Sequence, residues 1–266
     1  MNGLFPRPRK SLGQNFLTDH NIIRKILAVA DLQPGDNILE IGPGRGAMTE
    51  LLAEKVGNLL AVEFDRDLSA ILREKYAGSV NVKIYEQDIL KVDFKSLLNN
   101  QIYKVVANLP YNISTPVLFR FLEERKHFSR FVVMLQKEVG ERLAAEPDCS
   151  EYGVLTVLFR QWFDVRHEFI VSPGCFFPSP KVDSVVISMT PLISSRVDVG
   201  NQALFERLVK SAFSMRRKTL WNCLKSSSIA DLTMLKEALD SCSIDGKRRG
   251  ETLDIYEFAM LSRALA

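Results

Sequence analysis

Histidine is scarce in this chain, three in 266 residues, and tryptophan scarcer still at two. His20, His127 and His167 are too scattered to form a ligand set, and Cys149, Cys175, Cys223 and Cys242 contain no Cys-x-x-Cys pair. Neither a disulfide framework nor a zinc site is expected, and no metal is assigned. Long apolar runs are also missing. None approaches the ~20 residues that span a bilayer, and Met1 to Lys10 lacks the apolar segment of a signal peptide, so a cytoplasmic protein without a membrane partner is expected. No excess of one charge argues for a polyanionic partner, since the net charge is only +3. What the chain does have is 46% hydrophobic residues, enough to bury a core in one large domain or in one large and one small.

From Asn37 to Leu135, β-rich runs alternate with helical stretches: Asn37 to Ile41, Leu59 to Glu63, Val82 to Tyr85, Lys104 to Ala107 and Phe131 to Leu135. Their nearly continuous apolar character predicts an α/β fold with a parallel sheet covered on both faces, and ligand sites at the carboxyl ends of its strands. Helical patterns follow at Ala47 to Val56 and Arg66 to Tyr76, and Asp19 is placed to cap an amphipathic helix carrying Ile22, Ile23, Ile26, Leu27 and Ala30. Phe163 to Val171 and Val185 to Thr190 read as a strand pair around a proline-rich loop. Beyond Pro191 the spacing is helical throughout, as in Leu204, Leu208 and Ala212, which sets expected domains at 1–190 and 191–266.

After the first strand, Glu40-Ile41-Gly42-Pro43-Gly44-Arg45-Gly46 is a glycine-rich turn opening a helix, where backbone must approach a ligand closely. Glu63 follows 21 residues after Gly42, at the place of a ribose-binding carboxylate. A nicotinamide dinucleotide and S-adenosylmethionine share both features. Asp88, after the third strand, can accept a hydrogen bond from an adenine amine, although an Asp there also caps helices. Asn108-Leu109-Pro110-Tyr111 after the fourth strand is more specific, for hydride transfer has no use for it.

Such a turn suits methylation of an exocyclic amine. The lone pair of that nitrogen is spread into the purine ring, so a site must restore it by accepting both amine hydrogens. The Asn108 carboxamide oxygen and the Leu109 carbonyl can do so, Pro110 fixes the turn, and Tyr111 can stack on the base. A base drawn from its stack costs a few kcal/mol, and each aromatic surface returns about 1 to 3 kcal/mol, so a second ring is expected. Cys175-Phe176-Phe177-Pro178-Ser179-Pro180-Lys181-Val182-Asp183-Ser184 offers two candidates, Phe176 and Phe177.

Ser11 to Leu17, the glycine loop, Asn108 to Ser114, Leu135-Gln136-Lys137-Glu138, Phe176 to Ser184 and Arg216 to Leu220 together resemble the KsgA-type ribosomal RNA adenine dimethyltransferases, over nearly the whole chain. The resemblance implies a class I, Rossmann-like S-adenosylmethionine-dependent methyltransferase fold with a small C-terminal α-helical domain that binds RNA and the ribosome. It implies S-adenosyl-L-methionine held by residues matching Asn15, Leu17, Gly42, Gly44, Glu63, Asp88 and Asn108. Asn108, Leu109, Pro110, Tyr111 and Phe176 match the methyl-transfer site, Phe176 being the ring that the family pattern aligns. The expected activity is N6,N6-dimethylation of two adjacent adenosines near the 3′ end of 16S rRNA, on a maturing small subunit. Asn-Leu-Pro-Tyr argues against DNA adenine methyltransferases, which usually carry a second proline at Leu109.

Phosphates are expected to meet Arg7, Arg9 and Lys10 in an N-terminal arm, Lys181 in the proline loop, Arg216, Arg217 and Lys218 in a second cluster, and Arg248 and Arg249 in a third. A monomer is expected. Two other functions fit the same residues: a dimethylase of large-subunit rRNA, and a non-catalytic factor that checks ribosome assembly.

Overall fold

The five apolar runs become the parallel part of a seven-stranded sheet in the computed structural model, which describes residues 5–266. The strands in chain order are β1 (Phe16–Leu17), β2 (Asn37–Ile41), β3 (Asn58–Glu63), β4 (Val82–Glu86), β5 (Tyr103–Asn108), β6 (Phe128–Gln136), β7 (Phe163–Val171), β8 (Phe176–Phe177) and β9 (Ser184–Pro191). The sheet order is β4-β3-β2-β5-β6-β9-β7, with β1 and β8 forming a separate antiparallel pair. Neighbours from β4 to β6 are parallel, and β9 returns antiparallel to β6. The expected strand pair is therefore present, as β7 and β9 at one end of the sheet.

The helices are α1 (His20–Ala30), α2 (Ala47–Ala53), α3 (Arg66–Lys75), α4 (Phe94–Leu97), α5 (Ser114–Glu123), α6 (Lys137–Ala144), α7 (Val154–Trp162), α8 (Gln202–Ala212), α9 (Leu220–Ser227), α10 (Leu232–Ser241) and α11 (Ile255–Ala264). Asp19 caps α1 by accepting from the N–H groups of Asn21 and Ile22, and the apolar stripe Ile23, Ile26, Leu27 and Ala30 is buried against the sheet's Ile38, Val106 and Val132. Asp65 caps α3 in the same way through Asp67 N–H.

Ile41 pairs with both Val62 and Ala107, so Gly42, Glu63 and Asn108 emerge side by side at the carboxyl edge of three adjacent strands. That register assembles the site.

Two compact units make up the chain: residues through Gly140 with Arg166–Pro191, and Glu141–Val165 with Leu192–Ala266. The expected boundary at 190 and 191 misses the inclusion of 141–165 in the second unit. The reason is α7, whose buried Val157, Leu158 and Phe159 belong with α8 and α11 rather than with the sheet. Within this unit Phe213 lies between Phe258 and Tyr152, with ring centres 5.9 and 6.0 Å away, and Asp254 caps α11. Among the described residues no helix is long and apolar enough to cross a membrane, and no group of three or more His, Cys, Asp or Glu is placed to hold a metal ion.

Candidate functional site

A single cavity in the first unit is lined by the N-terminal segment around Asn15 to Leu17, the glycine bend, Glu63, Asp88 and the turn from Asn108 to Ile113. Residues 93 positions apart thus share one wall. The glycine bend runs through positive φ at Gly42 (65°) and Gly44 (60°), a region costly for side-chain-bearing residues. A Cβ on Gly44 would also stand 2.8 Å from the Phe16 ring.

Glu63 is almost fully buried, and its carboxylate accepts from Gly44 N–H at 3.0 Å and Asp65 N–H at 2.8 Å. Burial pushes its carboxyl above the ordinary range, while those two N–H donors pull back towards the charged form. Glu40 lies deeper, fully buried on β2. Burial pushes its pKa up to about 8; the adjacent Thr49 hydroxyl pulls back towards the charged form, but neither carboxyl oxygen has a well-formed hydrogen bond. Nothing in the sequence pattern singled out Glu40 for a role, although it opens the glycine motif and interrupts an otherwise apolar strand. With Asp88, whose Oδ1 accepts from Leu90 N–H, three carboxyl groups line a cavity better suited to a cationic ligand than to a pyrophosphate.

In the same cavity Asn108 Nδ2 donates to the Asn15 carbonyl at 3.1 Å. The carboxamide is thereby oriented with Oδ1 carrying no hydrogen bond among the described residues. Leu109 N–H donates to the Met134 carbonyl at 3.1 Å, and its own carbonyl likewise accepts none. Two acceptors therefore stand free on consecutive residues. Tyr111 is held by a 2.6 Å hydrogen bond between its hydroxyl and the Ser184 Oγ, and burial raises its phenol above the ordinary range. Ser184, fully buried at the start of β9 opposite Gln136, was not singled out in the sequence. Its position directly after the proline loop is the signal that could have found it.

The stacking candidates part company. Phe176, expected as an exposed platform, is 5% exposed and packs with Leu17, Ile23, Met134 and Val186, whereas Phe177 is 54% exposed. Pairing decides this: β8 lies against β1 with Leu17 opposite Phe176 and Phe16 opposite Phe177, and alternation sends the two rings to opposite faces.

The basic candidates also divide. Arg9 is paired with Asp65 at 3.0 Å and with Asp67 at 2.5 Å, and Gln14 joins the same Asp65, so this arm residue fastens the segment ahead of β1 to the cap of α3. Arg248 grips Glu257 and the Thr252 carbonyl. Both were expected on phosphates; both are instead neutralised within the fold. Arg249 stands 3.7 Å from Glu251, and Arg216 donates to the Ser150 carbonyl. Arg7, Lys10, Lys181, Arg217 and Lys218 are exposed and show no carboxylate partner among the described residues.

The pattern of the ribosomal RNA adenine dimethylase family matches residues 6–260. Two relatives named ribosomal RNA small subunit methyltransferase A, from Geobacter metallireducens and Geobacter sulfurreducens, are each 54% identical over all of this chain and 98% of their own length. A dimethyladenosine transferase from Plasmodium falciparum superposes with a TM-score of 0.80 at 27% identity, covering 92% of this chain and 95% of that one. The 23S rRNA methyltransferase ErmE shares the fold at a TM-score of 0.71 and 24% identity, covering 94% and 99%. The α/β sheet with its glycine bend is thus the fold of S-adenosylmethionine-dependent methyltransferases, and the chain belongs to the ribosomal RNA adenine dimethylase family.

Proposed function

We propose that this chain transfers methyl groups from S-adenosylmethionine to N6 of two adjacent adenosines near the 3′ end of 16S rRNA, on the maturing small subunit in the cytoplasm. The observation that carries this reading is the common cavity of the glycine bend and the Asn108 turn, with its free carboxamide oxygen and free carbonyl. Relatives named for the small subunit, at 54% identity along the whole chain, favour 16S over large-subunit RNA.

Bound S-adenosylmethionine supplies a methyl carbon made electrophilic by a positively charged sulfur. Asn15, Leu17, Gly42, Gly44, Glu63 and Asp88 hold it: Glu63 takes the ribose hydroxyls, Asp88 the adenine amine, and the glycines admit it close to the backbone.

Asn108 Oδ1 and the Leu109 carbonyl each accept one hydrogen of the target amine, which drives the nitrogen towards a pyramidal shape with its lone pair restored. Pro110 keeps the turn rigid. Tyr111 stacks on the base, its tilt fixed through Ser184. Phe176, in the core opposite Leu17, backs the segment that carries Asn15 and Leu17. No general base is required, because the methylated nitrogen is cationic and its proton passes to water. Arg7, Lys10, Lys181, Arg217 and Lys218, with Arg216 and Arg249 more weakly, neutralise phosphates. The protein acts as a monomer.

The test is to offer labelled S-adenosylmethionine with under-methylated small subunits, large subunits and naked RNA, and to identify the nucleoside formed. Label in N6,N6-dimethyladenosine of small subunits is expected. Label only in large subunits, or in no N6-methylated adenosine, overturns the reading.

A further inference from the structure

Arg9, ahead of the segment that lines the cofactor cavity, is matched to the carboxylates of Asp65 and Asp67. Arg45, in the middle of the glycine bend, is not matched in this way. It meets no carboxylate among the described residues. Its guanidinium carbon lies 4.8 Å from the ring centre of Phe16, 5.6 Å from Phe177 and 5.8 Å from Phe5. Its one side-chain hydrogen bond is the long contact from Nη2 to the Pro6 carbonyl at 3.4 Å, and its Nε is buried without a partner.

Aromatic faces attract a guanidinium but leave its N–H edge unfilled, so five donors are served by one weak acceptor. The surrounding rings also remove water that would screen the charge. A cation kept this way has a strong remaining preference for an anion that arrives from outside.

Beside it stands Phe177, whose ring is exposed although the preceding residue in its own strand, Phe176, is buried. Arg45 lines the cavity that also contains the Asn108 turn, and the half-exposed Phe177 ring stands beside its unmatched guanidinium; these are the two groups that one nucleotide of an unpaired strand satisfies, a base face and a phosphate. We infer that Phe177 and Arg45 form a subsite for a nucleotide neighbouring the target adenosine, Phe177 taking its base and Arg45 its backbone phosphate. The inference rests on the reading that the chain methylates rRNA at Asn108.

The experiment compares wild type, Arg45→Gln, Arg45→Lys and Phe177→Ala as full-length proteins. Three quantities are measured: methylation kinetics on under-methylated small subunits, the salt dependence of subunit binding, and calorimetric affinity for S-adenosylhomocysteine. For Arg45→Gln the subunit KM is expected to rise about tenfold, and the slope of log Kd against log salt to flatten by about 0.7, the loss of one phosphate contact on a single strand. Its kcat stays within about twofold and its S-adenosylhomocysteine affinity is unchanged. Arg45→Lys keeps the slope, and Phe177→Ala raises KM by about tenfold with the slope intact. An unchanged slope in Arg45→Gln, with wild-type methylation normal, overturns the subsite alone. Weaker S-adenosylhomocysteine binding with an unchanged slope overturns it in favour of a role for Arg45 at the cofactor. Failure of the wild type to dimethylate small subunits overturns the functional reading itself, and the subsite with it.

Discussion

The Asn108 carboxamide donates through Nδ2 to the Asn15 carbonyl at 3.1 Å, across 93 residues of sequence. That bond fixes which atom of the amide faces the cavity. The segment ahead of α1 thus takes part in presenting the acceptor that the amine chemistry needs, because an amide free to rotate would offer its NH2 as readily as its oxygen. Asn108→Ala is expected to lower kcat by about 10² to 10³, the range seen when one oriented polar group is removed from a reacting site. Affinity for S-adenosylhomocysteine should fall only in part. Normal turnover of this variant on small subunits would remove the turn from the mechanism.

Phe176 and Phe177 are expected to separate stability from recognition. Phe176→Ala leaves a cavity between β1 and the sheet and should cost about 3 to 5 kcal/mol in denaturant unfolding. Phe177→Ala removes an exposed ring and should stay within about 0.5 kcal/mol of wild type. Equal losses in the two would contradict the alternation that buries one ring and exposes the other.

Glu40 makes stability depend on pH in an unusual direction. Its folded pKa of about 8 lies above the ordinary carboxyl value of 4.5, so between these values the folded chain holds a proton that the unfolded chain has released. Stability of the ligand-free protein should therefore fall as pH rises through that window. Glu40→Gln, which removes the titration, should flatten the profile between pH 5 and 8 when thermal melts are compared. An unaltered slope would show that Glu40 is charged in the fold.

Arg248 and Lys218 lie in clusters of similar appearance in sequence, yet they should behave oppositely. Arg248→Ala breaks the partly buried pair with Glu257, where burial lowers but does not abolish solvent screening, and is expected to destabilise the protein by about 1 to 2 kcal/mol. The salt slope of subunit binding should be unaffected. Arg217→Ala and Lys218→Ala should leave melting unchanged and flatten that slope. Urea titration and binding at several salt concentrations distinguish the two classes.

The sequence by itself determined the sheet and the location of the site. Apolar runs of strand length, a glycine bend after the first and Asn108 to Tyr111 after the fourth are local patterns, and the rule that ligands meet parallel strands at their carboxyl ends turns them into a place. Only the tertiary structure decided which side chains remain available there. Arg9 and Arg248 look like phosphate ligands until their carboxylates, 56 and 9 residues away, are seen to neutralise them. Phe176 and Phe177 are adjacent in sequence and separated only by the pairing of β8 with β1. The assignment of 141–165 to the second unit likewise waited on the packing of α7. Propensity and periodicity act over a few residues, whereas burial and charge neutralisation depend on which distant segments the fold brings into contact, and no local pattern encodes that.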